Sequence, residues 1–382
     1  MSIAASREGT RFPGLNGAAL ILLLGLGAVW CVQAIGKAER STGNDLVGYL
    51  AASEALYSGG DPYHLPGRFP YIYPLFLAAV VRPLLPLGVR YASVLWFAGQ
   101  CVCLWYVLRA TRVRVGGSQL SGWAAMAIVV AVFGDVLQRE FLNGQVNLLV
   151  LCLMVAAVRV QDSKRHLAPL LLGAAIALKL TPALLLVYWV MRRRHISVVE
   201  AVAWAAALAL APIVIVGERL WPLYRGYVQE FIIPRTGAPG APGDGDIFFH
   251  LHGFWSWITG STPGRTGIAV GAGALIVALA LWHGRHPARR ESTAAAWMYV
   301  AITPLLSPMS EVHHLVATMP LFAGSAVHWN QNGVFAALLL FAAFLWAGRF
   351  DRFGPWYFFA LVCLIAAGLL AQRMRHAVEP AR

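Results

Sequence analysis

The 382-residue chain is 59% hydrophobic and 12% charged, against about 25% charged for a soluble domain; that excludes an ordinary soluble protein and marks an integral membrane one. Its net charge of +13 gathers in short loops between apolar runs, where arginines act as topology signals, so nucleic acid is excluded as the reason for it. The five cysteines, Cys31, Cys101, Cys103, Cys152 and Cys363, all lie inside apolar segments without metal-ligand spacing, and read as packing residues.

The first apolar run, 17–35, follows Arg7 and Arg11. It is long for a secretory signal and lacks a clear small-residue cleavage site, so it reads as an uncleaved first helix. Further runs follow at 73–87, 91–108, 119–137, 146–160, 167–178, 182–191, 197–216, 266–284, 293–306, 312–327, 333–347 and 354–372. A full crossing takes about 20 residues, so several of these are too short to cross alone. The expectation is one all-α integral membrane domain, residues 1–382, with about 10–13 transmembrane or re-entrant helices.

The arginines orient these runs. With the N-terminus inside and 167–191 taken as a hairpin that enters and leaves on one side, the clusters around Arg109, Arg159, Arg192–Arg194, Arg285 and Arg373 all fall in the cytoplasm. The stretches 36–72 and 217–265, and the links 138–145 and 307–312, then fall outside. Runs 73–87 and 91–108 must together make one net crossing, so one of them is partial.

Within the first outer stretch, Leu46, Tyr49, Leu50 and Leu56 recur at helical spacing between Asn44 and Tyr57. Asn44 or Thr42 offers an N-cap and Gly59-Gly60 a stop, which predicts an amphipathic helix on the membrane surface. Asp45 falls in its first turn, where the helix dipole favours a carboxylate. That placement suits either a catalytic base or a structural capping acid. Glu54 and Asp61 are competing acids, although Gly60-Asp61-Pro62-Tyr63 reads as a turn.

Lys179, one of three lysines, interrupts LLGAAIALKLTPALLLVYWV just ahead of Pro182. A cation in mid-membrane usually faces a wet cavity or an anionic partner, here a phosphate or diphosphate; the plainer reading is snorkelling to the interface. Asn143, Gln145 and Asn147 in FLNGQVN are amides suited to sugar hydroxyls, or simply to helix capping. Glu311, His313 and His314 stand at an outer helix start, where adjacent histidines point to different faces and make no two-histidine metal site. His250 and His252, in FFHLHGFWSW after the flexible GAPGAPGDGD linker, share a face if extended but lack a third ligand. No metal or other cofactor is expected.

In order, D-x-x-x-Y-x-x-A (Asp45, Tyr49, Ala52), Gly59-Gly60-Asp61-Pro62-Tyr63 and Tyr73-Pro74 resemble the opening of GT-C-class, polyprenyl-phosphate-sugar-dependent glycosyltransferases. The likeness is to glycosyltransferase family 87, which includes mycobacterial phosphatidylinositol mannoside mannosyltransferases. Gly144-Gln145-x-Asn147, Lys179-x-x-Pro182 ahead of Arg192–Arg194, and Ser307-Pro308 with His313-His314 agree in order. The resemblance implies that Asp45 is the base. It also implies that Lys179 with His313 or His314 lies near the donor phosphate. Arg68 is a further candidate there, and Tyr49, Asn143, Gln145, Asn147, Glu311, His250 and His252 are candidates for substrate contact. The chain departs from the family pattern at Leu75, often a second proline, and at Phe248–Gly253, usually Asn/Ser-rich.

One base is enough for this chemistry, because the leaving phosphate is already a stable anion, unlike the paired carboxylates of glycosidases. The expected partners are a polyprenyl-phosphate sugar (mannose or another hexose or pentose), a lipid or glycan acceptor, and membrane lipids. The expected location is the bacterial inner membrane, with the site facing outward. A transporter or flippase of lipid-linked envelope precursors is the alternative; it calls for charges spread through the spans as a path.

Overall fold

The computed structural model describes residues 13–40, 44–65, 71–111, 123–232, 255, 258–259, 265–285, 293–306, 311–326, 328, 331–351 and 354–378. Its regular structure is helical, with no strand among the described residues. Among the described residues, four stretches are long and apolar enough to cross a bilayer: Gly17–Glu39, Arg82–Ala110, His195–Phe231 and Asn332–Arg349. A fifth is a pair bent by 113°, Gly134–Asn143 with Asn147–Val160, and five shorter apolar helices of 10–17 residues complete the set. The chain is an all-α polytopic membrane protein.

The first helix, α1 (Pro13–Glu39), packs on α4 (Gly88–Ala110), α5 (Trp123–Val132) and α6 (Gly134–Asn143). Trp30 meets the Phe141 ring at 5.7 Å. On its other side Ile21, Leu22, Leu24 and Val32 stay exposed, an apolar face that only lipid would cover. The partial run is 73–87. It contains only the six-residue α3 (Leu75–Val80) and a 3₁₀ turn, Arg82–Leu87, because Pro83 and Pro86 withhold the N–H groups a helix needs.

The helix in the first outer stretch, α2, runs Asp45–Ser58 with Asn44 as N-cap and Gly59 in the left-handed region at φ 84°. It buries Leu46, Val47, Tyr49, Leu50, Ala52, Ser53 and Leu56, more than a single apolar stripe provides. It is therefore docked on the protein, against α3 and α11 (Ile213–Val216). The start of the second outer stretch is also more ordered than its composition suggests. After α10 (His195–Leu210) and α11, the chain continues through α12 (Leu220–Tyr227) and a π-turn to Ile232. These two segments are pinned to each other. Arg219 donates to the Gly60 carbonyl at 2.6 Å, His64 bridges Asp61 and Glu230 at 2.9 Å each, and Tyr63 stacks on Tyr227 at 5.3 Å.

Between them α7 (Asn147–Val160), α8 (Leu167–Leu178) and α9 (Leu184–Met191) carry the chain inward and back. Gln161 bonds Tyr188 and Trp189, and Arg194 bonds the Gln161 carbonyl and the Asp162 carboxylate. The chain just before 167–191 thus meets the residues at its far end, as a hairpin requires. With 12 and 8 residues, its arms reach only about 18 and 12 Å. Lys179 leaves α8 with φ −156° and ψ 133°, and the 3₁₀ turn Thr181–Ala183 begins the return, so the lysine stands at the tip. The first arm is fixed by close approach to α10: a Cβ on Gly173 would lie 2.6 Å from that of Trp204 and 2.9 Å from the Ala201 carbonyl.

Candidate active site

The site is organised by five residues, Asn143 to Asn147, where α6 ends and α7 begins. Gly144 takes φ 63°, a left-handed conformation that glycine adopts without steric cost, and the chain turns there by the 113° noted above. The turn presents three amides, and each engages one charged side chain. Lys37 Nζ, at the end of α1, donates to Asn143 Oδ1. Gln145 Nε2 donates to Asp45 Oδ2. Lys179 Nζ donates to Asn147 Oδ1 at 2.7 Å. An amide has both a donor and an acceptor end, which is why a carboxamide serves the acid and the two amines alike.

Asp45 is set at this point by its neighbours. The Asn44 side chain caps α2 by accepting from Val47 N at 3.2 Å, and its own Nδ2 donates to the Leu142 carbonyl at 3.0 Å. One residue thus starts the helix and ties it to the turn. Gln145 is fixed in turn by Gln100, whose Nε2 donates to its carbonyl at 2.6 Å, and by the Tyr73 hydroxyl 3.4 Å from its Oε1. Burial, then the charge of Glu311, push the Asp45 carboxyl up to about 6; the Gln145 hydrogen bond and the charges of Lys179 and Lys37 pull the other way. A carboxylate tuned there is ionised at pH 7 yet basic enough to take a proton in a transition state.

Lys179 also lies 2.6 Å from His314 Nε2 and 5.7 Å from the centre of the Tyr73 ring. His313 and His314 sit in a 3₁₀ helix, Val312–Thr318. Contrary to the expectation that adjacent histidines diverge, their rings lie 4.5 Å apart. His314 Nδ1 lies 2.9 Å from Glu311 N and 3.2 Å from the Glu311 carbonyl. With Nε2 accepting from the Lys179 ammonium, Nδ1 carries the proton and donates to that carbonyl. His313 Nδ1 is 3.6 Å from Glu311 Oε2. A cavity of about 30 Å³, room for a water or two, is bordered by Asn147, Lys179, Thr181, Thr303 and His314, with Leu151 and Met154 among its apolar walls.

Other candidates stand apart. Tyr49, one turn after Asp45, is buried, edge-on to Tyr73 at 5.2 Å and Trp96 at 6.0 Å, as part of an aromatic wall. Asp61 Oδ1 accepts from Tyr63 N at 2.9 Å in a side-chain turn, and Glu54 is exposed. Arg68, His250 and His252, with Ser307 and Pro308, lie outside the described residues. Three participants are new: Lys37, Gln100 and Glu140. Gln100 is a lone amide in an apolar run, and Lys37 is one of the three lysines. Glu140 is a fully buried acid whose oxygens accept from Asn147 Nδ2 at 3.0 Å and Leu148 N at 2.9 Å.

The sequence model of glycosyltransferase family 87 matches residues 71–308. The chain belongs to that family. This glycosyltransferase is 30% identical, over 337 residues (83% of its length and 74% of the relative's), to a polyprenol-phosphate-mannose-dependent alpha-(1-2)-phosphatidylinositol pentamannoside mannosyltransferase of Mycobacterium tuberculosis. It is 28% identical over 313 residues, 77% of its length and 70% of the relative's, to the protein of that description from Mycolicibacterium smegmatis. A polyprenol-phosphate-mannose-dependent alpha-(1-2)-phosphatidylinositol mannoside mannosyltransferase of M. tuberculosis is 27% identical over 310 residues, 75% of this chain and 70% of its own. No solved structure matches the family 87 chain. The matched residues include Tyr73, the 143–147 turn and Lys179, whereas Asp45 and the two histidines lie outside them.

Proposed function

We propose that this family 87 glycosyltransferase moves mannose from a polyprenyl-phosphate-mannose donor to a phosphatidylinositol mannoside-type lipid, with Asp45 as base. The observation that carries this reading is the 143–147 turn, which holds a tuned carboxylate through Gln145 and an ammonium through Asn147, two residues apart. Asp45 takes the proton of the acceptor hydroxyl as its oxygen bonds to the anomeric carbon. The bond from that carbon to the phosphate oxygen breaks, and its electron pair leaves with polyprenyl phosphate. A single displacement of this kind inverts the anomeric centre. The leaving phosphate gains charge, and the Lys179 ammonium, held by His314 Nε2, offsets it. Both substrates are lipids, which accounts for an enzyme built of spans. The arginine pattern of the loops supports a reaction on the outer face. Charge concentrated at one turn, and not strung along the spans, favours this over a transporter.

The test is incubation of purified protein with radiolabelled polyprenyl-phosphate sugars and phosphatidylinositol mannosides, followed by lipid chromatography. A labelled, extended glycolipid with the mannose donor alone is expected. No transfer from any donor by folded protein would refute the activity, and transfer of another sugar would refute mannose.

A further inference from the structure

Glu140 is a buried acid to which the reaction above assigns no part. It lies on α6, fully enclosed, and a buried carboxylate is costly unless its oxygens are satisfied. Oε1 accepts from Leu148 N at 2.9 Å, which alone would serve to cap α7. The other oxygen accepts from a side chain, Asn147 Nδ2 at 3.0 Å. That second bond decides how the Asn147 amide is turned. An ionised carboxylate only accepts and an ammonium only donates. With the NH₂ group committed to Glu140, Oδ1 must face the other way, and there it meets Lys179 Nζ at 2.7 Å. His314 Nε2 receives the same amine at 2.6 Å, and the small cavity begins at these three side chains. The order Glu140, Asn147, Lys179, His314 is therefore a directed relay of acceptor, donor and acceptor, donor, acceptor.

We infer that Glu140 is a positioning residue for the donor phosphate: by fixing the orientation of Asn147, it holds the Lys179 ammonium where the polyprenyl phosphate binds. The inference rests on Lys179 being at the donor phosphate, as proposed above. Glutamine at position 140 keeps the shape but can donate as well as accept, so the Asn147 amide is free to turn its NH₂ toward the ammonium.

The test uses the full chain in detergent or nanodiscs, with a short-chain prenyl phosphate as the binding probe and steady-state transfer as the second readout. Glu140→Gln is expected to weaken prenyl phosphate binding about tenfold, ~1.4 kcal/mol, and to raise donor KM with acceptor KM unchanged. Added to Lys179→Met it should weaken binding no further, because the two act through one contact; a merely structural role would add. Should Glu140→Gln not fold, Asn147→Ala, which leaves the Leu148 bond in place, carries the same expectations. Binding within ~2-fold of the parent in a folded variant, or losses that add in the double variant, would overturn the inference alone. Unchanged binding in Lys179→Met would overturn the phosphate assignment beneath it.

Discussion

Gly144→Ala tests whether the turn between α6 and α7 sets the geometry of the base. A Cβ at this position would stand 2.8 Å from the Leu46 Cβ and 3.2 Å from both Asn44 Oδ1 and Leu46 N. The last two belong to the capped start of α2, which has no slack. The left-handed φ of 63° adds about 1–2 kcal/mol for any L-residue with a Cβ, and overpacking a tight contact costs roughly 1–3 kcal/mol more. A loss of about 2–5 kcal/mol is expected from these terms together. The clash pushes Asp45 off Gln145, and a displacement near 1 Å in a reacting group costs about 10²-fold in rate. Thermal unfolding in detergent reads the first quantity and kcat for sugar transfer the second. A variant that melts with the parent and turns over at the parental rate would refute the claim that this glycine places the base.

Asp45→Asn should lower kcat by about 10²–10⁴, the range for a general base, while the protein still inserts and elutes as the parent does; near-parental turnover would reject the role. Because the ionised form is the base, the rate should fall as pH drops through about 6, where burial and Glu311 set the carboxyl. Glu311→Gln removes the charge that raises it, so the midpoint of a kcat–pH profile should move to lower pH; a midpoint that stays or rises would detach the profile from Asp45. Lys179→Met should raise donor KM more than acceptor KM, and equal changes in both would take the lysine away from the phosphate.

The residues legible in the sequence are those whose signal is local. Asn44, Asp45 and Gly59 announce a helix by cap, first-turn acid and stop, and all three sit as read. Lys179 ahead of Pro182 announces a break in an apolar run, and the break is there. What escaped is pairing over distance. Lys37 meets a partner 106 residues away and Gln100 one 45 residues away, and no spacing rule connects them. Glu140 looked like part of a short polar link because a buried acid has no signature of its own; its burial comes from the bend of α6 on α7. The docking of α2 was hidden for a related reason, since the surface that covers it is assembled partly from α11, more than 150 residues later.

The amides of the 143–147 turn also act as insulation. Asp45 and Lys179 each terminate on a neutral carboxamide instead of on one another, although each still feels the other's charge. Direct contact with an ammonium typically drags a carboxylate down by 1–3 pH units, leaving it too feeble to deprotonate an alcohol. Keeping opposite charges near but never touching lets one framework hold both a proton acceptor and an anion receptor without short-circuiting either.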